Sequence, residues 1–331
     1  MKIMVYEARP DERADLEKQA APHGVELSVT DAVPTLENAS LAAGCIGVSI
    51  LGQGCIDAAL LDAYHALGIR YLSTRTIGYD HIDLDHARSI GLRVCSASYA
   101  PNGVADFTVM MILMCLRHYK QALWRGQVND FSLTGLQGRE MKDLTIGIIG
   151  TGRIGAQVAR NLSGFGCRIL AYDLRRNPAV EPQVTYVDFD TLLAQSDVIP
   201  LHMPLLDSNR HIINRESIAK MRDGVVIVNC SRGELADIEA LIEGIETGKI
   251  GALGMDTVEG DEGIIHADHR VDILPNRNWF YLHQFRNVIM TQHMAFYTDA
   301  AVSSMVDCGI GGICQMAAGE SCPTELTGPV Q

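Results

Sequence analysis

Three groups of residues in this sequence have the types and spacing that a chemical site needs. The first is a glycine loop, in which Gly150, Gly152 and Gly155 follow an apolar run over residues 144–149 with the spacing G-x-G-x-x-G. In such a loop the first glycine allows a tight turn, the second lets a pyrophosphate approach the backbone, and the third lets helix and strand pack closely. The loop therefore predicts a dinucleotide-binding site.

The residues after the loop complete the same pattern. An alanine-rich amphipathic stretch predicts a helix that ends near residue 166, and the free N–H groups at its start would bind phosphates. A second apolar run, 168–172, leads to Asp173, whose carboxylate is placed to bind a ribose diol and to repel the 2′-phosphate of NADP. The expected cofactor is therefore NAD, although Arg175 and Arg176 follow closely and would weaken that preference.

The second group is a pair of polar residues that each follow an apolar run. Arg232 comes after VVIVNCS, and an arginine there can bind a carboxylate with two parallel hydrogen bonds at any working pH. His293 comes after VIMTQ, and its proton exchanges near neutral pH, which suits a general acid or base. Both residues are expected at strand ends that face a cleft.

The third group is the acidic segment MDTVEGDEG, which lies between these two residues. It carries the carboxylates of Asp256, Glu259, Asp261 and Glu262. One of them could accept the second N–H of the His293 imidazole, which would orient the ring and raise its pKa. Spacing alone leaves the choice open. For Glu259 and Glu262, a solvated surface position is the preferred interpretation.

The composition limits the possible function classes. The chain has 331 residues, of which 47% are hydrophobic and 20% charged, as expected for a soluble protein of two domains. A net charge of −13 argues against nucleic acid or an anionic membrane as partner. The most apolar run, 107–116, is too short to span a bilayer, and the N-terminus turns acidic too soon for a signal peptide.

The nine cysteines are scattered, and none forms a C-x-x-C pair. Several lie in apolar runs, so they are interpreted as buried free thiols in a reducing cytoplasm, and no metal site is predicted.

Alternating strands and helices must position these residues. Strands are predicted over 2–6, 25–29, 46–51, 71–73 and 92–95 in a first unit, and over 144–149, 168–172, 197–202, 224–230, 251–256 and 288–291 in a second. Such alternation predicts an α/β protein with two Rossmann-like, doubly wound parallel sheets, of which only the second has a glycine loop.

The boundaries of the two units follow from the segments between them. Pro101 precedes a predicted long helix, NGVADFTVMMILMCLRHYKQ, while 124–142 and 260–286 are predicted to be irregular, and a last helix covers 298–318. If that helix returns to the first unit, 1–100 with 298–331 forms a discontinuous substrate domain, and 101–297 forms the dinucleotide-binding domain. The cleft would lie at the carboxyl ends of the inner strands.

The sequence resembles the D-specific 2-hydroxyacid dehydrogenases, and most closely their bacterial D-lactate dehydrogenase branch, which includes the vancomycin-resistance type. The similar motifs are GTGRIG, LHMP (201–204), VNCSRGELAD (228–237), GMDTVEGDEG (254–263) and QHMAFYT (292–298), with STRTIGYDHID (73–83) and SYAPNGVADFT (98–108) in the outer domain. They extend from about residue 45 to residue 305.

The resemblance implies a homodimer and a set of residue roles. Arg232 corresponds to the family's substrate arginine and His293 to its proton-transferring histidine. The carboxylate that orients the histidine, normally glutamate, corresponds to Asp261, which is a departure from the family. The backbone amides of Ile77 and Gly78 match a second contact with the substrate carboxylate. Tyr99 and Phe296 match the lining of the substrate pocket. The positions that match cofactor contacts are Gly150, Gly152, Arg153, Ile154, Gly155, Asp173, Met203, Pro204, Asn209, Cys230 and Asp256.

The implied reaction is hydride transfer from NADH to a small 2-oxo acid, with pyruvate to D-lactate as the first expectation. Branches that oxidise D-2-hydroxyisocaproate or another branched or aromatic D-2-hydroxy acid, D-2-hydroxyglutarate or phosphoglycerate are alternatives. A second carboxylate or a phosphate would need another basic residue, and the loop LGQGCID (51–57) has no lysine or arginine, which favours a monocarboxylate. A non-catalytic, NAD-sensing co-repressor is a further alternative, disfavoured by the acidic charge and by the presence of Arg232 and His293.

Overall fold

The computed structural model describes residues 1–261, 263–274 and 276–328, which divide into two compact units. The first unit contains Met1–Ala100 and the segment from Tyr297 onward, and the second contains Pro101–Phe296. Each unit is built on its own parallel sheet with helices. The predicted α/β class with two parallel-sheet domains is therefore confirmed.

The first unit has a five-stranded sheet with the order β2-β1-β3-β4-β5, in which every pairing is parallel. Its strands are β1 (Lys2–Val5), β2 (Glu26–Val29), β3 (Gly47–Ile50), β4 (Tyr71–Thr74) and β5 (Arg93–Cys95), and its helices are α1 (Arg13–His23), α2 (Ala58–Ala66), α3 (Leu84–Ser89) and α11 (Asp299–Ala317). This strand order is the flavodoxin-like type of doubly wound sheet.

The second unit has a seven-stranded parallel sheet with the order β12-β11-β10-β9-β6-β7-β8. Its strands are β6 (Thr145–Ile149), β7 (Arg168–Tyr172), β8 (Thr185–Tyr186), β9 (Val198–Leu201), β10 (Val225–Asn229), β11 (Ile250–Met255) and β12 (Val288–Met290). The chain runs outward from β6 to β8 and then returns to place β9 on the other side of β6, so the switch point lies beside β6. Strands β6, β9 and β10 are buried at every residue, which accounts for their continuous apolar sequences.

The helices of the second unit correct two of the sequence predictions. They are α4 (Asn102–Leu116), α5 (Tyr119–Gln127), α6 (Arg153–Ser163), α7 (Phe189–Gln195), α8 (Arg215–Lys220), α9 (Ile238–Glu246) and α10 (Arg277–Gln284). The predicted single long helix after Pro101 is wrong, because His118 takes a left-handed conformation (φ 49°) and separates α4 from α5. The prediction that 260–286 is irregular throughout is also wrong, since α10 lies within it.

Helix α11 is long and apolar enough to cross a membrane by length and composition alone. In this structure it packs against β3, β4, β5 and α1. Two of its glycines allow this close packing: a Cβ atom at Gly309 would lie 2.9 Å from the Cγ of Arg75, and one at Gly312 would lie 2.6 Å from the Sγ of Cys95. The apolar composition of α11 is therefore that of a core helix.

A buried ion pair fixes the carboxyl end of the first sheet. Arg75, which follows β4, and Glu12 are both fully buried, and Nη2 of Arg75 lies 3.4 Å from Oε2 of Glu12. The same guanidinium donates to the carbonyl oxygen of Tyr6 at 3.0 Å and to Oγ of Ser49 at 3.2 Å. These contacts fix Arg75 and with it the start of the 76–78 segment. Removal of either partner would leave the other charge buried and uncompensated.

The glycine loop between β6 and α6 has the geometry that its sequence predicts. Gly150 takes φ 93°, a conformation that L side chains rarely adopt. A Cβ atom at Gly155 would overlap the carbonyl oxygen of Gly150, whereas no described atom lies within 4 Å of a Cβ atom at Gly152. The first and third glycines are thus required by the fold itself, and the second is not.

This difference gives a test in the apo protein. Gly155→Ala is expected to lower the free energy of unfolding by about 3 kcal/mol, because backbone must move to admit the methyl group. Gly152→Ala is the matched control and should change it by less than about 0.5 kcal/mol. Urea unfolding followed by circular dichroism measures both. A Gly155→Ala protein that unfolds at the wild-type urea concentration would contradict the close approach.

Candidate active site

The glycine loop and the start of α6 form an open backbone site. Gly152 is the N-cap of α6 and, as a glycine, gives this eleven-residue helix no side-chain cap. The first N–H groups and the positive end of the dipole of such a helix favour an anion. The space above Gly152 lets a phosphate reach the backbone. These residues fit a dinucleotide.

Asp173 lies directly beside this loop, at the end of β7. Its Oδ2 accepts hydrogen bonds from N of Thr151 at 2.6 Å and from Oγ1 of Thr151 at 3.1 Å. Its Oδ1 accepts from N of Arg175 at 3.0 Å. The Arg176 guanidinium lies over the ring of Tyr186, 5.5 Å from its centroid. The structure therefore brings together the glycine loop and the Asp173 carboxylate that is predicted to bind the ribose diol.

Two residues that the sequence analysis missed support this loop. Asn177 donates from Nδ2 to the carbonyl oxygen of Thr151 at 2.8 Å, and the Tyr186 hydroxyl donates to Oγ1 of Thr151 at 2.8 Å. The N–H of Asn177 in turn donates to the Tyr186 hydroxyl at 2.9 Å. Only the three-dimensional contacts identify them, because neither residue belongs to a recognisable motif.

The segment after β9 approaches the same loop. A Cβ atom at Gly150 would lie 2.5 Å from the carbonyl oxygen of His202 and 3.0 Å from N of Met203. Asn209 closes this segment into a compact turn, since its Nδ2 donates to the carbonyl oxygen of Pro204 at 2.8 Å and its Oδ1 accepts from N of Leu206 at 2.8 Å. Met203, Pro204 and Asn209, all predicted to contact the cofactor, thus form one structural feature at the switch point.

His202 is a buried histidine that the sequence analysis did not single out. Neither of its ring nitrogens has a hydrogen-bond partner among the described residues. Burial lowers the pKa of His202 to about 3, so the imidazole stays neutral at physiological pH. A Cβ atom at Gly155 would lie 3.2 Å from its Cβ. This neutral ring packs beneath the glycine loop and gives that site no positive charge.

Arg232 follows β10 in a turn held by a buried asparagine. Asn229 is fully buried; its Nδ2 donates to the carbonyl oxygen of Arg232 at 2.8 Å, and its Oδ1 accepts from N of Ser231 at 3.0 Å. Nη1 of Arg232 donates to the carbonyl oxygen of Ser231 at 2.9 Å. Burial raises the pKa of the neighbouring Cys230 thiol, so the thiol stays protonated.

Asp256, directly after β11, holds the segment that carries His293. Its buried carboxylate accepts hydrogen bonds from Oγ1 of Thr291 at 2.5 Å, from N of Met294 at 2.9 Å and from N of Ala295 at 2.8 Å. Its own N–H donates to the carbonyl oxygen of Asn229 at 2.9 Å. The carboxylate therefore holds the side chain of Thr291 before His293 and the backbone after it. Through its N–H, Asp256 also ties this segment to β10, the strand that leads to Arg232.

His293 lies in a group of three rings. Its centroid is 6.3 Å from that of Phe296 and 6.2 Å from that of His266, and the His266 and Phe296 centroids are 6.5 Å apart. The sequence motifs predict His293 and Phe296 as site residues but do not indicate His266. Its segment gave no motif, and its place beside His293 depends on a contact between residues far apart in the chain.

The acidic segment divides into residues with different partners. Oε1 of Glu259 lies 2.6 Å from Nε2 of His211, so the interpretation of Glu259 as a merely solvated residue is wrong. Oδ2 of Asp261 accepts a hydrogen bond from N of Val258 at 3.2 Å. Glu262 lies outside the described residues. The predicted contact of Asp261 with the His293 ring stays a prediction.

Ile77, Gly78 and Tyr99 belong to the first unit. Oγ1 of Thr76 donates to the carbonyl oxygen of Gly78 at 2.6 Å, and N of Ala97 donates to the carbonyl oxygen of Thr76 at 2.9 Å. These bonds fix the segment after β4 and join it to the segment that leads to Tyr99. The roles of Ile77, Gly78 and Tyr99 toward the substrate stay predictions.

Within the second unit, three parallel neighbours in the sheet deliver the candidate residues. Strands β10, β11 and β12 pair in that order, and Arg232, Asp256 and His293 follow their carboxyl ends. The glycine loop follows β6 at the same edge of the sheet. The glycine loop, Arg232, Asp256 and the segment that carries His293 therefore share one edge of the sheet.

Comparison with known proteins agrees with this arrangement. Residues 109–295 match the family described as D-isomer specific 2-hydroxyacid dehydrogenase, NAD binding domain. An aromatic 2-oxoacid reductase of Clostridium sporogenes is 42% identical, over 93% of this chain and 93% of its own. A D-lactate dehydrogenase of Escherichia coli is 36% identical, over 98% of this chain and 100% of its own.

Solved structures give the same result. The apo structure of D-lactate dehydrogenase from Escherichia coli superposes with a TM-score of 0.87 at 36% identity, covering 98% of this chain and 100% of that one. The NAD-complexed D-isomer specific 2-hydroxyacid dehydrogenase from Lactobacillus delbrueckii ssp. bulgaricus gives a TM-score of 0.84 at 30% identity, covering 98% and 100%. The chain therefore belongs to the D-isomer specific 2-hydroxyacid dehydrogenases, a family of enzymes with an NAD-binding domain.

Proposed function

We propose that this protein reduces a small 2-oxo monocarboxylic acid to the D-2-hydroxy acid with NADH, and that pyruvate reduction to D-lactate is its main reaction. The observation that carries the proposal is the common sheet edge at which Arg232, the His293 segment and the glycine loop follow their strands. A 2-oxo acid needs a group that binds its carboxylate, a proton donor for its carbonyl oxygen and a source of hydride. The three features supply one each.

NAD is held by the second unit in this proposal, and when bound as NADH it supplies the hydride. The amides at the start of α6 bind the pyrophosphate, next to Gly150, Gly152, Arg153, Ile154 and Gly155. Asp173 binds the adenosine ribose diol. Residues further along the same sheet edge contact the rest of the dinucleotide; they are Met203, Pro204, Asn209, Cys230 and Asp256.

Arg232 binds the substrate carboxylate and stays charged while it does so. The family resemblance assigns the amides of Ile77 and Gly78 to the substrate carboxylate, and Tyr99 and Phe296 to the substrate side chain. His293 in its protonated form gives a proton to the carbonyl oxygen as negative charge develops there. Asp261 orients the imidazole, so the charged form of His293 is favoured.

Aromatic and branched 2-oxo acids are the second candidate substrates, and one observation favours them. The three rings of His266, His293 and Phe296 make an aromatic corner beside the proton donor. A planar side chain can pack edge-to-face against such rings. The 42% sequence identity with the aromatic 2-oxoacid reductase of Clostridium sporogenes supports this candidate.

The loop after β3, the segment LGQGCID, is fixed from within the first unit. The carboxylate of Glu7 accepts hydrogen bonds from N of Leu51, from N of Gly52 at 2.9 Å and from N of Gln53 at 2.8 Å. A carboxylate that occupies three successive amides leaves them unavailable to a second substrate anion. This supports a monocarboxylate over 2-oxoglutarate or a phosphorylated acid.

The active form in this proposal is a homodimer in the cytoplasm. Helix α5 and the loop after it expose large apolar side chains, among them Trp124 (65% exposed), Phe131 (79%) and Leu133 (83%). Side chains of this kind in one stretch are typical of a protein–protein interface, and a second copy of the chain is the partner that the family resemblance implies. The cysteines in the described part of the chain are all free, which suits a reducing compartment.

The substrate proposal is tested with pyruvate, 2-oxobutyrate, 2-oxoisocaproate, phenylpyruvate and 2-oxoglutarate, each with NADH and with NADPH. Pyruvate should give the highest kcat/KM and 2-oxoglutarate the lowest, and NADH should exceed NADPH because Asp173 repels the 2′-phosphate. A kcat/KM for phenylpyruvate above that for pyruvate would select the aromatic candidate. No NADH oxidation with any of these acids would refute the proposed function.

The role of Arg232 is tested by Arg232→Lys, which keeps the charge but loses the two parallel hydrogen bonds. We expect kcat/KM for the 2-oxo acid to fall by about two orders of magnitude or more, with little change in NADH affinity. Arg215→Lys is the matched control, since Arg215 pairs with Glu243 on the surface of the same unit. Ordinary turnover by Arg232→Lys would remove Arg232 from the mechanism.

The dimer is tested by sedimentation equilibrium of the double variant Trp124→Glu, Leu133→Glu. The wild-type chain should sediment at twice its own mass, and the variant at its own mass, because two carboxylates would be buried unpaired in the interface. Ile273→Glu is the control, because Ile273 is 99% exposed in another segment of the same unit. A monomeric wild-type chain at micromolar concentration would contradict the proposal.

A further inference from the structure

His266 contacts the segment that carries the proposed proton donor. Its Nε2 lies 3.3 Å from the backbone carbonyl oxygen of His293, and the two ring centroids are 6.2 Å apart. A carbonyl oxygen can only accept a hydrogen bond, so Nε2 of His266 carries the hydrogen and donates. Both residues belong to the second unit, although they are far apart in the chain.

The backbone of His293 needs this kind of support. His293 takes φ 53°, in the left-handed region that a residue with a Cβ atom rarely adopts. Asp256 binds N of Met294 and N of Ala295, which fixes the amides that follow His293. The carbonyl group of His293 itself is bound by His266. Together the two side chains hold both sides of the peptide that follows His293.

The ring of His266 also limits where the ring of His293 can go. His266 stands edge-on to Phe296, with an interplanar angle of 73°, and Phe296 stands edge-on to His293 at 82°. Edge-to-face pairs of this kind stabilise one relative orientation of the rings. The His293 imidazole is therefore held through its backbone and through neighbouring rings at the same time.

We propose that His266 is a positioning residue for proton transfer, which holds the His293 imidazole in the orientation that delivers its proton to the substrate carbonyl oxygen. The inference rests on the proposed function, in which His293 is the proton donor. His266 has no contact with the reacting atoms in this role and acts through His293. Its absence should therefore lower kcat and leave the KM values for the 2-oxo acid and for NADH unchanged.

Two substitutions separate the hydrogen bond from the ring. His266→Gln can keep an N–H donor near the position of Nε2 and loses the ring, whereas His266→Phe keeps a ring and loses the donor. Loss of one hydrogen bond that orders the donor should lower kcat by about threefold to tenfold in His266→Phe. His266→Gln should retain at least about half of the wild-type kcat. The control is His269→Gln, because His269 lies in the same segment but bonds to Asp272 at 2.8 Å.

These effects are measured by steady-state kinetics with pyruvate and with phenylpyruvate. Each kcat is calculated per NADH-binding site, and the concentration of those sites is determined by fluorescence titration with NADH. A lowered kcat in His266→Phe with unchanged KM, and its recovery in His266→Gln, supports the inference. Unchanged kcat in His266→Phe, or an equal loss in His266→Gln, overturns it. A fall that the control His269→Gln shares would also overturn it, because the effect would then belong to the segment as a whole.

A second measurement does not depend on turnover. In protein labelled with ¹³C and ¹⁵N at histidine, the His293 ring signals should shift in His266→Phe and remain near their wild-type positions in His269→Gln. Unmoved His293 signals in His266→Phe would overturn the inference even if no 2-oxo acid were reduced. Failure of the wild-type enzyme with every 2-oxo acid would refute the proposed function instead, so the two failures are distinguishable.

Discussion

The buried carboxylate of Asp256 is the interaction on which the candidate site depends. A carboxylate removed from water is costly unless hydrogen bonds replace its hydration, and here three donors from the segment 291–295 do so. Because the donors flank His293, the need to satisfy one buried carboxylate fixes the backbone at His293. The same residue bonds through its N–H to Asn229, whose side chain holds the turn at Arg232. Through its carboxylate and its N–H, one buried residue therefore links the ends of three strands.

The sheet topology explains why these groups meet at one edge. In a parallel sheet all carboxyl ends point the same way, so every strand delivers its following residue to the same side. The strand order reverses beside β6, and the glycine loop and the segment at Met203 lie close together at this switch point. Strands β10 to β12 continue the same edge away from it. The distance between the glycine loop and His293 is thus set by the spacing of the strands rather than by the length of a loop.

The sequence predicts the glycine loop, Asp173, Arg232 and His293 as site residues at strand ends because their signals are local: each directly follows an apolar run. It missed His118, Asn177 and His266, whose roles depend on conformation or on distant contacts. The break between α4 and α5 comes from a left-handed histidine, a conformation that glycine usually takes. The contact between His266 and His293 joins a segment that was predicted to be irregular to a strand end, and no pattern of spacing predicts such a contact.

His293 is held in this chain by groups that act on different parts of the residue. Asp256 binds the amides after His293 and His266 binds its carbonyl group, while Asp261 is the proposed partner of its ring. Asp261 also accepts a hydrogen bond from N of Val258, which fixes the turn from which its carboxylate extends. Asp261, at a position where the resemblance implies glutamate, lies in the same segment as His266. That segment therefore contributes both the proposed partner of the His293 ring and the side chain that binds the His293 carbonyl oxygen.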